Sequence, residues 1–215
     1  MKFTEVLPSV PFILEGIKVT LSFSVISFFF GFLLGLVLTF AKISKFKSLR
    51  TLAIVYTSIF RGTPLILQLS LIYFALPQII SLDLSPFQAG VLTFSLNSAA
   101  YVSEILKAGI ESIDRGQKEA SMVLGVSYFD MMKDIIYPQA FRKVLPALVN
   151  ETIDLLKESA IVSQIGAADL LRRATIVSAE KYTYLEPLLI AGACYYFMVM
   201  ILTFFARRLE KRLAR

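Results

Sequence analysis

The chain has no histidine and one cysteine among its 215 residues. The first absence removes histidine from any metal site, nucleophilic triad or proton relay. The second excludes an internal disulfide, and Cys194, inside the last apolar run, reads as a small buried side chain. No G-x-x-x-x-G-K-[ST] phosphate loop occurs, so the chain is not expected to bind and hydrolyse ATP by itself. No nucleophile–base pair or metal cluster is visible, which ranks a membrane enzyme last among the function classes. Charge is missing over long stretches: Val19–Ala41 is 23 residues without one, Gly62–Leu82 is 21, Leu84–Ser103 is 20 and Pro187–Ala206 is 20.

What is there instead is apolar. Hydrophobic residues make up 56% of the chain, against roughly 45–50% for a soluble domain. A bilayer core needs about 20 predominantly apolar residues of helix, and each run reaches that length. A soluble core helix shows a polar face every few residues, and these runs do not. The first run is too long for a signal-peptide core and lacks a small-residue cleavage site after it, so it reads as a mature helix. A fifth span is expected at 142–168, although it carries Glu151, Asp154, Lys157 and Glu158. Charges in a span are tolerated where they face a bundle interior, a water-filled path or the membrane edge. Asp154 and Lys157 are spaced to pair at i, i+3.

The approximate spans are 12–41, 51–78, 84–109, 142–168 and 186–207. Basic residues near span ends set the orientation. Lys42, Lys45, Lys47 and Arg50 follow the first span; Lys107, Arg115, Lys118, Lys133, Arg142 and Lys143 lie between the third and fourth; Arg207, Arg208, Lys211, Arg212 and Arg215 form the tail. Placing these in the cytoplasm gives an external N-terminus and a cytoplasmic C-terminus. Arg172, Arg173 and Lys181 then fall outside, against the trend. The net charge of +6 sits at helix ends and calls for membrane lipid, not nucleic acid.

Between the third and fourth spans stands Glu119-Ala120-Ser121-Met122-Val123-Leu124-Gly125, followed by Ile135-Ile136-Tyr137-Pro138. This pattern resembles the "EAA" loop of the membrane subunits of bacterial ABC importers. The likeness covers most of the chain and narrows to the branch that imports polar amino acids, the histidine/glutamine/arginine permease type. Phe60-Arg61-Gly62-Thr63-Pro64-Leu65 with Gln68, Ala100-Tyr101-Val102-Ser103-Glu104, and Lys157-Glu158-Ser159 with Ser163 look like that branch's helix signatures. Ser121 stands where alanine is commonest, Ala108 where glycine is common and Tyr137 where leucine is common. The resemblance implies the transmembrane domain of a type I ABC importer, all-α, with a cytoplasmic coupling loop at 112–138. Its ATPase-coupling residues would be Gly116, Glu119, Ala120, Gly125 and Pro138. It also implies cytoplasmic ABC ATPase subunits holding ATP and Mg, a second permease chain (a copy or a similar sister), an external solute-binding protein, and a place in the bacterial inner membrane.

Helix three makes the physical case for a substrate site. Asn97, Tyr101 and Glu104 are spaced i, i+4, i+7, within about a 60° arc of one face. A carboxylate inside a membrane helix costs about 2.5–3.5 kcal/mol on insertion scales, so Glu104 is a functional candidate by default. The structural alternative pairs it with Lys107 at i, i+3. Ser24 and Phe28 share a face of helix one, with hydroxyls bonded back to their own helix as the alternative. Leu67 and Gln68 follow Pro64, where helix two should kink or break. Ser159, Ser163 and Gln164 lie where a broken helix four would offer free N–H groups to a carboxylate. Arg61 reads as structural, close to the Arg-Gly-Thr-Pro turn. In the loop, a short helix over Gly116–Val126 should end in a left-handed cap at Gly125, Ser127 or Asp130 should cap the next, and Pro138 should separate the loop from helix four.

The expectation is therefore a permease subunit for a polar amino acid. A cationic substrate such as arginine, lysine or histidine comes first, and glutamine or glutamate is the alternative. A structural membrane adaptor without a ligand pathway, and a secondary transporter or channel, are the competing classes.

Overall fold

The computed structural model describes residues 3–81 and 83–213. Leu82, which ends the second apolar run, and Arg215, the last base of the tail, lie outside the described residues. Among the described residues every regular element is helical.

The first helix, α1, runs Phe3–Ile43, 41 residues, or about 60 Å at 1.5 Å per residue. A tighter turn at Leu7–Ser9 accommodates Pro8. Helix α2 (Lys47–Gly62) and helix α3 (Leu65–Ile80) meet at a 104° bend. Thr63 and Pro64 are both extended there, as a residue before proline prefers. Helix α4 (Pro86–Glu111) starts on a capping box between Ser85 and Gln88, with Pro86 in its first turn, where a missing N–H costs no bond. Helix α5 (Arg115–Val123) belongs to the loop after it. Helix α6 (Tyr137–Glu158) follows a widened turn at Met131–Ile136. Then come α7 (Leu170–Lys181) and α8 (Leu185–Leu213).

The α1–α4 pair is the spine of the bundle. Small residues let the two backbones approach: a Cβ on Gly35 would stand 2.6 Å from Val102 Cγ1, and one on Gly31 would stand 2.9 Å from Ser98 Cβ. Close contact of this kind, with no hydrophobic force between helices in lipid, is how membrane helices associate. Phe23 of α1 packs edge-on against Phe94 of α4 at 4.8 Å. The outer faces are apolar and open: Val25, Phe29 and Val37 on α1, and Phe197, Ile201 and Phe205 on α8, are all exposed. A soluble monomer rarely leaves so wide an apolar belt in contact with solvent.

By length and apolar content α1 and α8 each suffice to cross a membrane, and the bent α2–α3 pair counts as a third if taken as one span. Helices α4 and α6 are long enough but too polar to qualify by that measure. Regular α-helix in the region expected at 142–168 begins earlier, at Tyr137, and stops at Glu158. A tight helical turn at Ser159–Ile165 then ends on Gly166 in the left-handed region. Helix four is thus broken, as its sequence suggested.

Candidate functional site

The polar face of α4 is built against the α2–α3 break. Ending α2 at Gly62 leaves its last carbonyls without helical partners. Gln68, buried one turn into α3, answers them: its Nε2 donates to Phe60 O at 2.8 Å, Thr63 O at 3.1 Å and Thr63 Oγ1 at 2.8 Å. Asn97 of α4 completes the network, with Nδ2 donating to Gln68 Oε1 at 3.0 Å and Phe60 O at 3.1 Å. These two amides hold the bend to α4, and both side chains are buried.

One turn further along α4, Tyr101 is 37% exposed. The Arg61 guanidinium lies 5.3 Å from its ring centroid, a cation–π stack. Arg61 thus keeps its place beside the turn while its charge covers the ring. A further turn on, Glu104 accepts a hydrogen bond from Lys42 Nζ at 2.7 Å. The expected alternative pairing with Lys107 is not formed; Lys107 sits 3.5 Å from Glu111. The last turn of α1 delivers Lys42 across the helix interface instead. Lys42 also donates to Ser103 Oγ at 2.6 Å. Its side chain is 1% exposed and that of Glu104 is 37% exposed, so the amine is locked inside and the carboxylate faces out.

The remaining candidates are spread around this face. Ser24 is buried and bonds back to Thr20 O at 2.9 Å. Phe28 packs between α4 and α6 and lines a groove with Phe32, Phe141 and Leu148. Leu67 is exposed and shares a pocket with Phe60, Thr63 and Gln68. Ser159 bonds Leu156 O at 2.7 Å, Ser163 is buried, and Gln164 is exposed. Asn97 and Gln68 meet directly, and Tyr101 and Glu104 share their helix face. The helix-four serines belong to a different part of the bundle, near Phe23 and Val162.

Two residues outside the sequence-based set join the site. Lys42 was legible only as a flanking base at the end of an apolar run. Glu151 of α6 accepts a hydrogen bond from Ser98 Oγ at 2.8 Å, which ties α6 to α4 beside Asn97. Its signal was an acid inside an expected span. Asp154 and Lys157, on the same helix, pair at 2.6 Å as their spacing suggested.

The loop before α6 is rigid by its own chemistry. Asp114 Oδ1 accepts from Gly116 N at 2.6 Å and starts α5. Gly125, at φ +70°, ends it: Gly125 N donates to Met122 O at 3.1 Å and Val126 N to Ser121 O at 3.0 Å, the Schellman pair. Ser127 then caps the next turn, accepting from Asp130 N at 3.1 Å. Glu119 and Ala120 are exposed. So is an apolar tip of Met122, Val123, Leu124, Tyr128 and Phe129. Pro138 does not separate the loop from helix four. It sits in the first turn of α6, directly after the widened turn, and Gln139 Nε2 binds the Ile135 carbonyl at 2.8 Å. The widened turn passes helically into α6, with Tyr137 N donating to Met132 O and Pro138 in the first turn, so the loop runs straight into α6.

The chain is similar to known proteins over nearly its whole length. The family model "binding-protein-dependent transport system inner membrane component" matches residues 8–215. The arginine transport system permease protein ArtQ of Bacillus subtilis is 53% identical over 213 residues, 99% of this chain and 97% of that protein. The putative glutamine transport system permease protein GlnP of Rickettsia felis is 52% identical over 206 residues, 96% of this chain and 94% of that protein. A solved structure described as an amino acid ABC transporter with histidines superposes with a TM-score of 0.95 at 40% identity, covering 99% of both chains.

Proposed function

The chain belongs to the family of binding-protein-dependent transport system inner membrane components, and from that premise we propose how its α4 face serves transport. It is the permease subunit of an amino acid ABC importer, a multi-pass membrane protein and not an enzyme, and ATP hydrolysis belongs to a separate subunit. In our reading the chain crosses the bilayer five times, with α2–α3 as one bent span, its N-terminus outside and its C-terminus in the cytoplasm. It works beside a second permease chain, a copy or a sister. The paired ATPases hold ATP and Mg, and an external binding protein delivers the substrate. The loop around Gly116, Glu119, Ala120, Gly125 and Pro138 docks on the ATPase and transmits its movement into α6.

The substrate in this reading is a polar amino acid, with arginine tested first and glutamine second. One relative named for arginine is 53% identical and one named for glutamine is 52% identical, so identity does not choose between the two. The observation that carries the proposal is the partly open polar face at Tyr101 and Glu104 on α4, beside the broken α2–α3 helix. An ionised carboxylate is not left facing lipid, so water, a ligand or the second permease chain reaches Glu104. Ser24, Phe28, Leu67, Gln68, Asn97, Ser159, Ser163 and Gln164 would shape the walls and supports of the pathway.

The test is ATP-dependent uptake of labelled arginine, lysine, histidine, glutamine and glutamate into proteoliposomes holding this chain, its ATPase and its delivery protein. Uptake of one or more, lowered about tenfold or more by Tyr101→Ala in complexes that still assemble, supports the reading. An assembled complex that hydrolyses ATP and moves none of them would favour the adaptor class.

A further inference from the structure

Glu104 does not face the pathway alone. Its Oε1 is held by Lys42 Nζ at 2.7 Å, and the same amine is anchored by Ser103 Oγ at 2.6 Å. Lys42 comes from α1, and its side chain is 1% exposed. An amine so enclosed needs its counter-charge. The second oxygen of Glu104 has no hydrogen-bond partner among the described residues, and the side chain is 37% exposed. Above it, Arg61 stacks on Tyr101 at 5.3 Å. Lys107 is occupied by Glu111 at 3.5 Å. Around Glu104 itself there are therefore two cations, the enclosed Lys42 and the more open Arg61, against one carboxylate, the other acid of the site, Glu151, being held by Ser98 beside Asn97.

That balance matters for what can bind. A cationic side chain arriving at Glu104 would be a third cation beside one acid. It gains the full carboxylate only by displacing Lys42, which would then lose its counter-charge. An uncharged amide can use the free oxygen of Glu104 without disturbing the pair. The α-carboxylate of any amino acid would find Arg61 nearby.

We propose that Lys42 is a resident counter-cation for Glu104, and that the Lys42–Glu104 pair, not Glu104 alone, sets how strongly the chain favours cationic over uncharged amino acids. Lys42 is a positioning residue here: it acts on substrate choice through the charge and orientation of Glu104. The inference rests on the reading of α4 as the substrate face.

The experiment measures uptake of labelled arginine and labelled glutamine in parallel, with one ATPase and one delivery protein that carries both. The readout is the arginine-to-glutamine ratio, which a loss of folded protein does not move. Glu104→Gln leaves two uncompensated cations, and the ratio should fall about five- to tenfold. Lys42→Gln leaves Glu104 free, and the ratio should rise by a similar factor. The double variant has the wild-type net charge at the site, and its ratio should return toward wild type. Single variants with unchanged ratios, or with ratios that move in the same direction, overturn the proposal. If Lys42→Gln does not assemble, Lys42→Arg replaces it: its ratio should stay near wild type while that of Glu104→Gln falls, and any other pattern overturns the proposal. Wild-type complexes that take up neither amino acid would instead sink the reading of arginine and glutamine as its substrates, so the two failures are distinct.

Discussion

Gly16 and Gly192 make opposite predictions. A Cβ on Gly16 would stand 2.6 Å from the Leu170 Cα, a backbone atom that cannot rotate away, while one on Gly192 meets nothing within 4 Å. Gly16→Ala should therefore push α7 off α1 and strain the Leu170 N–H bond to Thr20 Oγ1 at 3.2 Å. The expected cost is about 1–3 kcal/mol, read as a lower melting temperature in detergent. Gly192→Ala should leave that temperature where it is. Gln68 is a second point of this kind. Its amide satisfies Phe60 and Thr63 and accepts from Asn97, so Gln68→Leu should cost about 1–3 kcal/mol through orphaned buried groups. Equal stability of the variant would show that water replaces the side chain. A sequence shows a polar glutamine after a proline; it does not show which carbonyls the break sets free.

The loop between α4 and α6 tests mechanics at the level of elements. Gly125 closes α5 at φ +70°, a conformation that costs an L-residue with a Cβ about 1–2 kcal/mol. Gly125→Val should loosen the loop and lower coupled uptake several-fold, while ATP hydrolysis by the ATPase alone stays normal. Full coupling in that variant would mean that the loop tolerates slack. Ser127→Ala removes a cap worth about 1 kcal/mol and should act in the same direction more weakly, seen as faster amide exchange at Tyr128–Asp130. The start, stop and cap of this loop were legible because such signals are local. The continuity through Pro138 was not, because it depends on a widened turn at Met131–Ile136 that leaves no mark in composition.

At the scale of the whole molecule, orientation is the open expectation with the plainest test. With Cys194 replaced by serine, a single cysteine at Thr4 or Glu180 should react with an impermeant maleimide added outside intact cells. One at Arg212 should react only after permeabilisation. The reverse pattern would invert the topology and put the coupling loop on the wrong side for an ATPase.

The sequence by itself determined the class of the protein, its long apolar helices, the break near Pro64 and the loop that resembles an ATPase docking site. Each of these is carried by composition, by a run of neighbours or by a fixed spacing along one chain. Only the tertiary structure decided which charges meet. Glu104 was expected to stand free or to reach Lys107 on its own helix, and instead it holds Lys42 from α1. Asn97 was read with Tyr101 and Glu104 on one face of its own helix and Gln68 with Leu67 after Pro64, and the two amides bond each other across the helices. Partners 29 and 62 positions apart are chosen by how helices pack. Here the packing was set by glycines on α1 that let α4 come close enough for a buried amine to find its acid.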